Sequence, residues 1–136
     1  MPDILLVDDD QDLAATLADV LRDLGHVVRI ACDGWAGLAA LDERFPDLVL
    51  LDIEMPELDG PGMANQMFVR DCGRERIPIL LVSGFLDLRA VAKRIGTPYS
   101  APKPCELDWL LRIVDRALAE KVAPEPQADR PIAGAP

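Results

Sequence analysis

The sequence predicts an α/β fold built on one doubly wound, five-stranded parallel sheet, and three features predict it. Ile4-Leu5-Leu6-Val7, Leu48-Val49-Leu50-Leu51 and Ile79-Leu80-Leu81-Val82 are apolar without alternation, the pattern of strands buried on both faces. Stretches of helical periodicity follow the strand candidates, so strand and helix alternate five times along the chain. The connections are short, and right-handed crossovers then gather every strand's carboxyl end on one edge of the sheet.

Taken in order, the first run stops on Asp8-Asp9-Asp10, and Asp10 and Asp12 suit the start of the helix that follows. Leu13, Leu17, Val20, Leu21 and Leu24 give that helix an apolar stripe, and Gly25 ends it. Val27 to Ala31, interrupted by Arg29, reads as an edge strand. Asp33 caps a second helix carrying Leu38 and Leu41, which Pro46 prevents from continuing. The central run ends on Asp52, and Asp59-Gly60-Pro61 opens a third helix with Met63, Met67 and Phe68 on its apolar face. The next run ends on Ser83-Gly84, before a helix with Leu88, Val91 and Ile95. A short strand, Pro98 to Ala101, delivers Pro102-Lys103-Pro104. The last helix carries Leu107, Leu110, Leu111, Val114 and Leu118; Trp109 and Ile113, four apart and flanked by Arg112 and Arg116, are expected to form an exposed docking pair. Residues 1–120 are read as one domain, and the Pro- and Ala-rich 121–136 as a disordered tail.

A chain of 136 residues with 50% hydrophobic and 28% charged residues has the composition of a soluble globular domain. Its net charge of −10 argues against direct contact with nucleic-acid phosphate. No apolar run is long enough to span a membrane, and Met1-Pro2-Asp3 leads into a strand without a signal peptide, so a cytoplasmic protein is expected. Cys32, Cys72 and Cys105 are scattered, without metal-ligand spacing, and read as reduced thiols.

On that shared edge Asp8, Asp9, Asp52, Ser83 and Lys103 end different strands, where open α/β sheets place their ligands. Close carboxylates repel by about 4 kcal/mol per pair at ~4 Å and an effective dielectric near 20, so such a site calls for raised pKa values or a cation. Hard oxygen ligands suit Mg²⁺. A lysine opposite the acids makes sense if a phosphoryl group lands between them, its charge shared by the metal and the ammonium. The nucleophile is then Asp52, the carboxylate at the centre of the sheet, with the Ser83 hydroxyl adding a hydrogen bond. Singly each residue has a plainer reading as helix cap, loop serine or exposed lysine; their convergence at strand ends carries the assignment.

These residues resemble the receiver domain of two-component response regulators over about residues 3 to 120, through ILLVDDD (4–10), LLDIEMPELDG (50–60), LLVSG (80–84) and Lys103-Pro104. The resemblance implies a flavodoxin-like sheet of strand order 2-1-3-4-5. It implies that Asp8, Asp9, Asp52 and the Ile53 carbonyl oxygen hold Mg²⁺ (or Mn²⁺). It also implies that Asp52 accepts the phosphoryl group, that Ser83 is the switch hydroxyl and that Lys103 pairs with the phosphoryl group. The implied partners are a sensor histidine kinase or phosphotransfer protein, a downstream protein, and a second copy through the last helix. The expected function is a single-domain response regulator, catalysing only its own phosphorylation and dephosphorylation. A relay shuttle or phosphate sink, a non-phosphorylated adaptor and an aspartyl-phosphate hydrolase are the alternatives. Glu54, two residues after the nucleophile, is a candidate modulator of phosphoryl lifetime, against the plainer reading of a solvated loop acid. Receivers carry a switch aromatic three residues before the lysine; here that position is Ser100, and Tyr99 lies one earlier. One residue of shift reverses the face of a strand, so hydroxyl–aromatic coupling is expected to be altered or absent.

Overall fold

The apolar runs form strands β1 (Asp3–Val7), β3 (Leu48–Leu51) and β4 (Ile79–Ser83), flanked by β2 (Val27–Ala31) and β5 (Tyr99–Pro102). All five are parallel, in the order β2-β1-β3-β4-β5. This computed structural model describes residues 1–53, 62–63, 77–84, 88–103 and 106–124. Four helices are described: α1 (Gln11–Asp23), α2 (Gly34–Glu43), α3 (Leu88–Ile95) and α4 (Leu107–Glu120). Of the third helix expected from the sequence, only Gly62 and Met63 are among the described residues; both are helical and Met63 is fully buried.

The absence of alternation in β1, β3 and β4 has a direct structural cause: every residue of the three strands is buried. Leu5, Val7, Val49, Leu51, Ile79 and Leu81 pack with Leu38 and Leu41 of α2 and with Leu88, Val91 and Ile95 of α3. Ile4, Leu6, Leu48, Leu50, Leu80 and Val82, pointing the other way, pack with Ala14, Leu17 and Leu21 of α1 and with Leu110, Ile113 and Val114 of α4. β2 is an edge strand, as its Arg29 suggested.

The caps fall where short polar side chains and glycine predict. Asp10 accepts from the Leu13 N–H at 3.1 Å, and Asp33 accepts from the Ala36 N–H at 2.8 Å. Gly25, at φ +96°, takes the left-handed turn that closes α1. α4 ends differently, on Lys121 at φ 55°, and the chain beyond it stays packed, with Ala123 buried. Residues 125–136 lie outside the described residues.

Two expectations about helix faces fail for one reason: a helix's buried stripe is set by where its axis lies on the sheet. On α4 the stripe runs through Leu110, Ile113, Val114 and Ala117, with Leu111 and Leu118 partly buried and packed against the same core, as expected. Small Ala117 lets that side of the helix approach the sheet. Ile113 is consequently a core residue, and the exposed Trp109–Ile113 docking pair does not exist; Trp109 alone is exposed. Leu13, Leu24 and Leu107, assigned to apolar stripes, are exposed at or near helix ends.

Candidate functional site

Register assembles the site. Val7 pairs with Leu51, so the residues that follow them, Asp8 and Asp52, emerge side by side at the carboxyl rim. Their backbones stay tied to the sheet: Asp8 N–H donates to the Ala31 carbonyl at 3.1 Å, and Asp52 N–H to the Val7 carbonyl at 3.0 Å. Ser83 is the last residue of β4, opposite Pro102 of β5. The Lys103 N–H donates to the Ser83 carbonyl at 2.9 Å, which fixes the stem of Lys103 beside the acids.

The side chains converge. Lys103 Nζ lies 2.6 Å from Asp8 Oδ2 and 3.7 Å from Asp52 Oδ2. Carboxylate oxygens of Asp8, Asp9 and Asp52 all lie within 4.8 Å of one another. Asp8 and Asp52 are buried, Asp9 is exposed, and Ser83 is buried with its hydroxyl hydrogen-bonded to the Asp52 carboxylate. The Asp10 N–H donates to Asp8 Oδ1 at 2.9 Å, so the residue that caps α1 also holds a site carboxylate in place. The sequence reading missed that second role of Asp10. The spacing Asp8-x-Asp10 before a helix was its available signal.

The electrostatics are unbalanced. Burial pushes the Asp52 carboxyl above its ordinary value, against the pull of Lys103, and the Asp8 charge adds to the rise. Hydrogen bonds from Ser83 and from the Ile53 backbone oppose it without reversing it. Burial disfavours the Lys103 ammonium, but its bond to Asp8 and the charges of Asp52, Asp8 and Asp10 outweigh that, so its pKa is raised. Three acids facing one cation leave negative charge uncompensated. An all-oxygen donor set, two members buried and one open to solvent, suits a hard divalent cation. Chemically, the pocket presents a desolvated nucleophilic carboxylate beside an ammonium and a hydroxyl, the complement of a phosphoryl group.

Tyr99 is not brought to this site. It pairs in register with Leu80 and points into the α1–α4 side of the sheet, whereas Ser83, by the alternation of β4, points to the other side. There its hydroxyl donates to Glu120 Oε1 at 2.9 Å and accepts from the Val122 backbone, and the Arg116 guanidinium lies 5.1 Å above its ring. Burial, with the Glu120 bond next, raises its pKa. Glu54 lies outside the described residues.

Comparison with known proteins agrees with this geometry. The response regulator receiver domain family matches residues 4–115. The chain is 35% identical over 118 residues to protein Rrf1 of Nitratidesulfovibrio vulgaris (strain Hildenborough), covering 85% of this chain and 82% of that protein. It is 34% identical to the transcriptional regulatory protein ZraR of Salmonella typhimurium, over 86% of this chain but only 26% of ZraR. Among solved structures, the receiver domain of NtrX from Brucella abortus superposes with a TM-score of 0.76 at 34% identity, over 86% of this chain and 98% of that one. A CheY-like receiver domain protein from Methanospirillum hungatei JF-1 gives 0.79 at 26% identity, over 89% and 96% of the two chains.

Proposed function

The chain belongs to the response regulator receiver domain family, and on that premise we propose that it accepts a phosphoryl group on Asp52 from a phosphohistidine. The donor is a sensor histidine kinase or a phosphotransfer protein. An Asp52 carboxylate oxygen forms the new O–P bond as the N–P bond to the donor imidazole breaks, its electron pair returning to the nitrogen. Lys103, held by its bond to Asp8, offers its ammonium to the oxygens of the transferring group, and the Ser83 hydroxyl donates to one of them. The observation that carries this reading is Lys103 reaching both Asp8 and Asp52 while Ser83 bonds Asp52.

Asp8, Asp9 and Asp52, with the Ile53 carbonyl oxygen, would hold Mg²⁺ (or Mn²⁺); the donor chemistry fits, and the ion would neutralise charge on the phosphoryl oxygens. The protein catalyses only its own phosphorylation and dephosphorylation, and signals through altered protein–protein contacts in the cytoplasm. Among the described residues no helix is long and apolar enough to cross a membrane. The test is incubation with Mg²⁺ and acetyl phosphate followed by intact mass. Wild type gains the mass of one phosphoryl group; Asp52→Asn does not. An unlabelled wild type, or a labelled Asp52→Asn, overturns the reading.

A further inference from the structure

Lys103 stands where the acids of the carboxyl rim converge. Its Nζ lies 2.6 Å from Asp8 Oδ2 and 3.7 Å from Asp52 Oδ2, so one ammonium contacts two of the three carboxylates that face one another there. The other oxygen of Asp8 is committed elsewhere. Oδ1 accepts from the Asp10 N–H at 2.9 Å, and Asp10 is itself fixed as the N-cap of α1. Its side chain accepts from the Leu13 N–H, and its carbonyl from the Ala14 N–H at 2.9 Å. Both oxygens of this buried carboxylate are therefore engaged, one by the start of a helix and one by the lysine. The lysine is anchored at its other end. Its backbone N–H donates to the Ser83 carbonyl at 2.9 Å, so Nζ can leave Asp8 without leaving the pocket.

We propose that Lys103 and a divalent cation compete for Asp8, so that cation binding releases Nζ from Asp8 and turns it towards Asp52. The competition rests on the reading of Asp8, Asp9 and Asp52 as the cation site, and adds an antagonism between the two positive charges that use it. A small hard cation such as Mg²⁺ coordinates a carboxylate oxygen at ~2.1 Å. On Asp8 Oδ2 it would stand no more than about 5 Å from Nζ as the lysine lies here, and an effective dielectric near 20 leaves much of that repulsion unscreened. The doubly charged ion attracts the oxygen more strongly, so the ammonium gives way, and its other neighbour is Asp52. An order of events follows. Lys103 offsets the charge of Asp8 until the ion arrives, and Nζ is then freed for the oxygens of the group that Asp52 receives. The effect is reciprocal: by whatever factor the lysine weakens the ion, the ion weakens the bond between Lys103 and Asp8.

That reciprocity provides two independent measurements on the full chain, with Mg²⁺ alone as the probe. In calorimetry, Lys103→Met is expected to bind Mg²⁺ at least tenfold more tightly than wild type. Lys93→Met removes an equal charge from the exposed last turn of α3 and should change the affinity less than twofold. The second measurement needs no variant. The chain has three lysines, Lys93, Lys103 and Lys121, so the side-chain ammonium signals of ¹⁵N-lysine-labelled protein are few enough to assign by NMR. The hydrogens on Lys103 Nζ should exchange with water at least fivefold faster once Mg²⁺ saturates the site, while those of Lys93 and Lys121 keep their rates.

Asp9→Asn tells the two levels apart, because it removes a cation ligand that does not touch Lys103 in the list of its ion pairs. It should weaken Mg²⁺ at least tenfold. If wild type binds no Mg²⁺, or Asp9→Asn binds it as wild type does, the cation site is misassigned and the competition falls with it. If Asp9→Asn weakens binding but Lys103→Met tightens it no more than Lys93→Met, the competition alone is overturned. Exchange at Lys103 Nζ that Mg²⁺ leaves unchanged or slows overturns it equally, and decides the matter should Lys103→Met not fold.

Discussion

At the amino rim of the sheet, Asp3 at the head of β1 meets two cations: Arg29 at 3.4 Å and Arg44 closer still. At the carboxyl rim, three carboxylates meet Lys103 alone among the described residues. Arg29 spends its remaining donors on the carbonyls of Ala40 and Arg44, at 2.7 and 2.8 Å, tying the end of α2 to the sheet. Asp47 completes the same corner by accepting from the Asp3 N–H at 2.7 Å. Both rims therefore pair a buried aspartate of β1, or the residue after it, with a basic side chain. At the amino rim two arginines face Asp3 and spend further donors on backbone carbonyls, and the result is a clasp. At the carboxyl rim burial disfavours the ionised form of Asp52, and a single lysine facing three carboxylates does not reverse it. A satisfied cluster holds the fold together, whereas an under-compensated one is prepared to receive a cation and an anionic substrate.

That contrast is breakable at both ends. The largest expected effect is on labelling: Asp52→Asn abolishes acetyl-phosphate labelling by intact mass, while Asp3→Asn leaves it near wild type. Undiminished labelling of Asp52→Asn, or its loss in Asp3→Asn, would erase the distinction between the rims. Next comes Lys103→Met, which should slow labelling by roughly 10²-fold, as expected for removing a group that stabilises developing charge. The same change should lower stability at neutral pH by about 2 kcal/mol, discounted from a fully buried pair because the lysine is partly exposed.

Stability should separate the rims by sign. Urea unfolding of Asp3→Asn is expected to show a loss of about 2 kcal/mol, because two arginines lose their charged partner. Asp52→Asn should instead be more stable than wild type at pH 7. The Asp52 pKa is raised on folding, so the folded state binds its proton more tightly than the unfolded chain does. Ionised Asp52 thus costs stability at neutral pH, and wild type recovers it as the pH falls through the raised value towards the ordinary 3.8. The gap between the two proteins should close over that window; a gap that stays constant, or a destabilised Asp52→Asn, would contradict the charge imbalance. For Lys103, also raised, the pair's contribution is intact below the ordinary 10.5 and lost as pH rises through the higher folded value.

The smallest effect sharpens the comparison from outside both rims. Tyr99→Phe should cost about 1 kcal/mol through its lost bond to Glu120 and leave labelling unchanged. Structures with and without a phosphoryl mimic should keep Tyr99 on the α4 side; a ring that swings to join Ser83 would restore it as a switch residue.

The chain by itself determined the sheet, its parallel sense and the gathering of Asp8, Asp52, Ser83 and Lys103 at one rim. Continuous apolar runs leave a strand no solvent face, and a strand's last residue has only one end at which to emerge. Helix starts were equally legible at Asp10 and Asp33, because capping is a matter of a few neighbouring residues. Only the tertiary structure decided what depends on distant parts meeting. It turned α4 so that Ile113 entered the core and Trp109 stayed out, set Tyr99 against Glu120 and Arg116, and joined Asp3 to arginines 26 and 41 residues away. It also opened a cavity between α1 and α4. Periodicity reports that a helix has an apolar side, but the exact face and the space left beneath it follow from how two helices and a twisted sheet settle against one another.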